Sequence, residues 1–114
     1  MNDLWHSIDA DCKALSTTVA GMRREMVDAA KAEDAYRRIK ARALLDNKKS
    51  GIPATISRDA VFDRDDVADA RLARDIAQAF VDSDKECVNA LKLSIRIAND
   101  QLQREWTQAG NRRD

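Results

Sequence analysis

The chain has few of the residues that break or redirect a backbone. Its 114 residues include three glycines and one proline, too few for the turns of an all-β domain or a Rossmann-type α/β sheet. Aromatic residues make up 4%, and alanine accounts for 19 of the apolar residues, so large apolar side chains are sparse. One histidine and two cysteines leave little for metal or disulfide chemistry. Cys12 and Cys87 lie far apart and fit a reducing compartment. No apolar run approaches the ~18 residues of a membrane span. The opening residues are acidic where a secretory signal would be basic. Net charge is also missing: Lys+Arg 20 balance Asp+Glu 20, which argues against strong long-range attraction to nucleic acid or anionic lipid.

What is present is charge, 35% of the chain, laid out with helical periodicity. Residues 3–46 contain no proline and predict one long helix. Ile8, Cys12, Leu15, Val19, Met22, Met26 and Ala29 alternate in steps of four and three, a heptad stripe for packing on another helix. The apolar track then resumes at Ala32, Tyr36, Ile39 and Ala43, which predicts a local slip after Ala29. Asn2 or Asp3 suits the helix start. A connector over residues 47–65 follows. Gly51 is a natural helix stop and Pro53 bars continuation, while Ser57 is placed to cap a short helical turn over 58–62. The acidic run Asp63–Asp66 starts a second long helix over 66–108. There Val81, Val88, Ile95 and Leu102 repeat every seven residues, with Ala77, Leu91 and Ala98 between them and a flaw at Asp84. The tail 110–114 is expected to fray.

The fold expected is therefore all-α, in a single domain: an antiparallel helical hairpin with a short helix in its connector, each long helix about 65 Å at helical rise. A turn centred near Ile56 would set Arg37 opposite Asp75 and Arg42 opposite Asp66 or Asp69. It would hold Cys12 and Cys87 too far apart for a disulfide. One seam does not use every apolar residue. Leu93 and Ile97 point away from Leu91, Ile95 and Ala98, and Leu72, Ile76 and Phe80 form an earlier surplus face. These five residues are the candidate partner face. Self-association into a homodimeric four-helix bundle or coiled coil is the economical way to cover them, and a third, shorter helix from the connector packing on the hairpin is the alternative.

Chemistry-bearing constellations are weak. His6 stands alone, and no nucleophile-elbow glycines surround a serine or cysteine, so no catalytic residue and no enzyme activity is expected. Both cysteines sit on presumed apolar stripes, where a thiol acts as a small hydrophobe. Asp3, His6 and Asp9 share a helical face that a divalent ion could bridge, but first-turn acids also answer the helix dipole, and the Glu-x-x-His pattern of di-iron bundles is absent. Asp59, Asp63, Asp65, Asp66 and Asp69 suggest calcium only until the calcium-loop positions for Gly and Glu are found to hold Arg64 and Ala70. No metal and no cofactor is expected, and no glycine-rich phosphate cradle exists. The basic tract Arg37, Arg38, Lys40, Arg42, Lys48 and Lys49, set against Asp46, could grip phosphates. Pairing with the acidic start of the second helix is the better expectation, because only Tyr36 and Phe62 are near enough to stack bases.

The stretch from Tyr36 to Trp106 resembles a group of small phage and prophage proteins of undefined function. The matching features are Ala41-Arg42-Ala43-Leu44-Leu45, Gly51-Ile52-Pro53-Ala54-Thr55-Ile56, Arg74-Asp75-Ile76-Ala77, Asn89 through Ile97, and Arg104-Glu105-Trp106. The first 35 residues match only in being helical. The resemblance implies a phage accessory protein in the cytoplasm of a bacterial host. Such a protein would adapt replication or recombination machinery, or inhibit a host defence complex. Binding to another protein is the function expected, with no membrane association, and nucleic-acid binding through the basic tract is the alternative.

Overall fold

The computed structural model describes residues 2–112. It is an all-α helical hairpin. Helix α1 spans Asn2–Lys49, α2 spans Ala54–Ala60, a 3-10 turn covers Val61–Asp63, and α3 spans Asp65–Arg112. Both long helices run past their expected ends. The tail is helical through residue 112, and its last two residues lie outside the described region.

Gly51 terminates α1 as its chemistry demands. Its φ is 79°, the left-handed region open to glycine. The Ile52 N–H donates to the Asn47 carbonyl at 3.0 Å and the Gly51 N–H to that of Lys48 at 3.1 Å, the Schellman pattern that satisfies free carbonyls at a helix end. Pro53 then caps α2: its carbonyl accepts from the Ile56 and Ser57 N–H groups. The connector helix therefore begins four residues before the expected turn. Ser57 does not cap it but lies inside it, 5% exposed, its Oγ accepting a 3.0 Å hydrogen bond from the Asn47 amide. The physical reason is that proline needs no N–H at a helix start.

The same two helices build two compact units, Arg23–Asp82 and the described parts of Met1–Met22 with Ser83–Asp114, where the sequence predicts one domain. In the unit Arg23–Asp82, Tyr36, Ala43, Val61 and Val67 form the core, with Ile39, Leu44, Phe62 and Ala70 packed against it. Val81 is also buried there. In the other unit, Ala98 and Leu102 are buried. There the Ser94 hydroxyl donates to Asp11 at 2.6 Å, and Thr18 Oγ1 meets Cys87 Sγ at 4.0 Å. In that unit Asp11 thus faces Ser94, where a turn centred at Ile56 would set it opposite Gln101.

The α3 seam is the expected one: Val81, Ala98 and Leu102 are buried and Ala77, Val88, Leu91 and Ile95 partly buried, with Asp84 among them. The α1 seam is not. Ile8, Leu15, Met22 and Ala29 turn inward, but the positions between them are Asp11, Thr18 and Glu25, while Cys12, Val19 and Met26 are exposed. No slip follows Ala29. A single helix keeps one phase, and the step of three from Ala29 to Ala32 continues the same alternation back through Glu25, Thr18 and Asp11. Cys12 is therefore exposed, and Cys87, beside the α3 seam but not in it, is exposed too, so both are free surface thiols rather than packed hydrophobes.

Candidate partner-binding faces

On α3 within Arg23–Asp82, a row of large apolar side chains faces outward. Leu72 is 59% exposed, Ile76 49% and Phe80 58%. Steps of four along a helix hold the three on one side. Ile76 and Phe80 line a shallow groove with Ala73 and Ala77, and its α1 wall carries Glu25 and Asp28. In the other unit, Leu93 and Ile97 are exposed to a similar degree. They line a second groove with Leu4, Ala90, Ser94, Ala98 and Gln101. All five residues singled out in the sequence thus stand on the surface, divided between the two units.

A third groove was not foreseen. Leu44, Ile52, Ala54 and Ser57 line it between the end of α1 and the connector, with Lys48 and Arg58 on its rim. The signal available was Ile52 between Gly51 and Pro53, an apolar residue where the backbone leaves the helix.

The basic tract does not face the acidic start of α3 as expected. Arg37 pairs with Glu33 at 2.9 Å and Arg38 with Asp34 at 3.0 Å, each one helical turn away on α1 itself. The Lys40 ammonium lies over two rings, 5.8 Å from the centre of Tyr36 and 5.0 Å from that of Phe62. Among the described residues, no carboxylate pairs with Arg42, Lys48 or Lys49. The reason is local: an acid at i−4 is reached within one helix, with no dependence on the register between helices.

Pairing between helices runs with the opposite polarity. Acids on α1 meet arginines on and before α3. Arg74 lies 3.6 Å from Glu33 and 2.9 Å from its neighbour Asp75, with its guanidinium 4.3 Å from the centre of the Tyr36 ring. Arg71 sits 5.0 Å from the centre of Phe62. The two rings nearest the basic tract are therefore already covered by cations, an arrangement in which a cation meets the negative face of a π-system. Arg64, just before α3, bridges Asp46 at 3.1 Å and Asp66 at 3.0 Å. Hydrogen bonding to Asp66, then Asp46, raises the affinity of Arg64 for its proton. The same contact, reinforced by the Val67 N–H, holds Asp66 below the ordinary carboxylate range. The hydrogen bond to Asp75 likewise raises Arg74.

Among the described residues, no group of three or more His, Cys, Asp or Glu side chains converges as a metal site would require. Asp3, His6 and Asp9 are separate exposed side chains on α1. No described helix is long and apolar enough to cross a membrane. These surfaces present two apolar rows on α3, the one at Ile76 and Phe80 walled by Glu25 and Asp28, and a basic-rimmed groove at the connector. No protein-family model, curated protein or solved structure matches the chain.

Proposed function

We propose that this is a non-enzymatic interaction module that binds another protein through the outward face of α3. The observation that carries this reading is the row Leu72, Ile76 and Phe80, each about half exposed on one side of α3, with Ile76 and Phe80 bordered by Glu25 and Asp28. Apolar side chains at helical spacing are what a helix-in-groove contact uses. The acidic wall favours a partner helix with basic flanks. The resemblance to small phage accessory proteins directs the search for that partner to host defence complexes and to phage replication or recombination proteins in the bacterial cytoplasm.

A photo-crosslinking residue in place of Ala73 tests this in cells. The expected result is a discrete protein adduct that disappears when Ile76→Lys and Phe80→Lys are added. No adduct, or one that survives the two lysines, would sink the proposal. Nucleic-acid binding is the second reading, favoured by Arg42, Lys48 and Lys49, which lack carboxylate partners among the described residues. Titrating salt against single- and double-stranded DNA tests it. A phosphate grip loses affinity steeply as salt rises, whereas no binding at low salt removes this reading.

A further inference from the structure

We infer that a second copy of the chain packs antiparallel on the outer face of α3 between Glu86 and Arg104. This pairing is independent of whatever occupies the groove at Ile76 and Phe80. In the unit containing Ser83–Asp114, positions 86, 90, 93, 97, 100 and 104 advance in alternating steps of four and three. That is a second heptad face, opposite the seam of Val88, Leu91, Ile95, Ala98 and Leu102 that packs inward. Its centre is apolar: Leu93 is 53% exposed and Ile97 58%, over the shallow groove they share with Ala90 and Leu4. Its ends are charged, Glu86 toward the N-terminal side and Asp100 followed by Arg104 toward the C-terminal side, all exposed. Neither Glu86 nor Arg104 makes an ion pair with another described residue of its own chain.

This order of charge, apolar pair and opposite charge is complementary to itself when reversed. About a two-fold axis beside Ile95, Leu93 faces Ile97 of the second copy and Ile97 faces its Leu93. Glu86 faces Arg104 of the second copy at one end, and Arg104 faces its Glu86 at the other. Asp100, on the same face, meets Ala90 of the second copy, whose small side chain leaves the carboxylate room to stay hydrated. A parallel arrangement would instead set Glu86 against Glu86 and Arg104 against Arg104. The matched face runs about 27 Å at helical rise, and one isologous contact of this kind closes as a dimer. Charges at the edge of an apolar seam set orientation and partner choice.

Charge exchange in sedimentation velocity tests the pairing. The wild-type chain is expected to sediment at twice its 12.8 kDa mass with micromolar affinity. Glu86→Arg and Arg104→Glu are each expected to weaken dimerisation about tenfold, because each places like charges together at both ends. An equimolar mixture of the two variants should restore it, since every end then holds opposite charges. Leu93→Lys with Ile97→Lys should abolish the dimer while leaving the helical circular dichroism intact, and Ile76→Lys with Phe80→Lys should leave the dimer unchanged. A wild-type monomer at about 100 μM overturns the inference. So does a mixture no stronger than its components, or loss of the dimer in the Ile76 and Phe80 variant. Because adduct formation at Ala73 is read separately, failure of the dimer leaves the protein-binding proposal standing, and the reverse holds too.

Discussion

Arg64 shows how single side chains hold the connector to the hairpin. Its guanidinium reaches Asp46 near the end of α1 and Asp66 in the first turn of α3. Asp66 also accepts from the Val67 N–H at 2.9 Å, so one carboxylate serves the helix start and the ion pair together. Hydrogen bonding to Arg64 lowers its proton affinity in the folded state. A carboxyl that gives up its proton more readily when folded contributes stability above its unfolded pKa. That contribution is lost as pH falls through the lower folded value. The expected outcome is a melting temperature that drops below about pH 4, with a shallower acid slope in Asp66→Asn and in Arg64→Gln. Thermal melts between pH 2 and pH 6 check this, and slopes identical to wild type would refute the assignment. The basic tract teaches a related lesson. Its composition was plain in the sequence, but its partners were not. Glu33 and Asp34 stand one turn before Arg37 and Arg38, and that local match was available without any tertiary register. Arg74, by contrast, acquires Tyr36 and Glu33 only when α3 returns past α1.

At the scale of elements, the α3 seam from Ala77 to Leu102 was legible in full and the α1 seam in half. Every inward position on α3 that carries an apolar residue repeats at heptad spacing, so periodicity had one solution. On α1 the anchors Ile8, Leu15, Met22 and Ala29 were certain, but each gap between them offered two candidates. Choosing the apolar one selected Cys12, Val19 and Met26, whereas the helix buries Asp11, Thr18 and Glu25 more deeply. Phase along a continuous helix outweighs the polarity of single residues, because changing it costs backbone strain over several turns. The difference is measurable in chemical denaturation. Leu102→Ala, at a side chain 4% exposed, is expected to lose about 2–4 kcal/mol. Met26→Ala, at one 48% exposed, should stay within about 0.5 kcal/mol. Equal losses would restore the apolar phase for α1.

For the whole molecule, burial is uneven. The unit Arg23–Asp82 holds Ala43, Val61 and Val67 at 0% exposure and Tyr36 at 6%, whereas the unit with Ser83–Asp114 has Ala98 at 8% and Leu102 at 4%. The connector supplies the difference: Val61 and Phe62 add a third layer of apolar contact that two helices alone do not provide. Local opening follows buried contact density. In native-state hydrogen exchange, amides of α1 from Tyr36 to Ala43 are expected to be the slowest on that helix. Those from Ile8 to Thr18 should exchange at least ~tenfold faster, and uniform protection along α1 would contradict it.

Helix content, the hairpin, the stop at Gly51 and the surplus apolar rows on α3 were determined by the sequence itself. They follow from spacing along one chain, where glycine, proline and heptads act within a few residues. The phase of α1, the polarity of pairing between helices, the burial of Ser57 and the covering of Tyr36 and Phe62 by cations were decided by tertiary structure. Each depends on which residues two distant segments bring together, and a register shift of a few residues exchanges one set of partners for another.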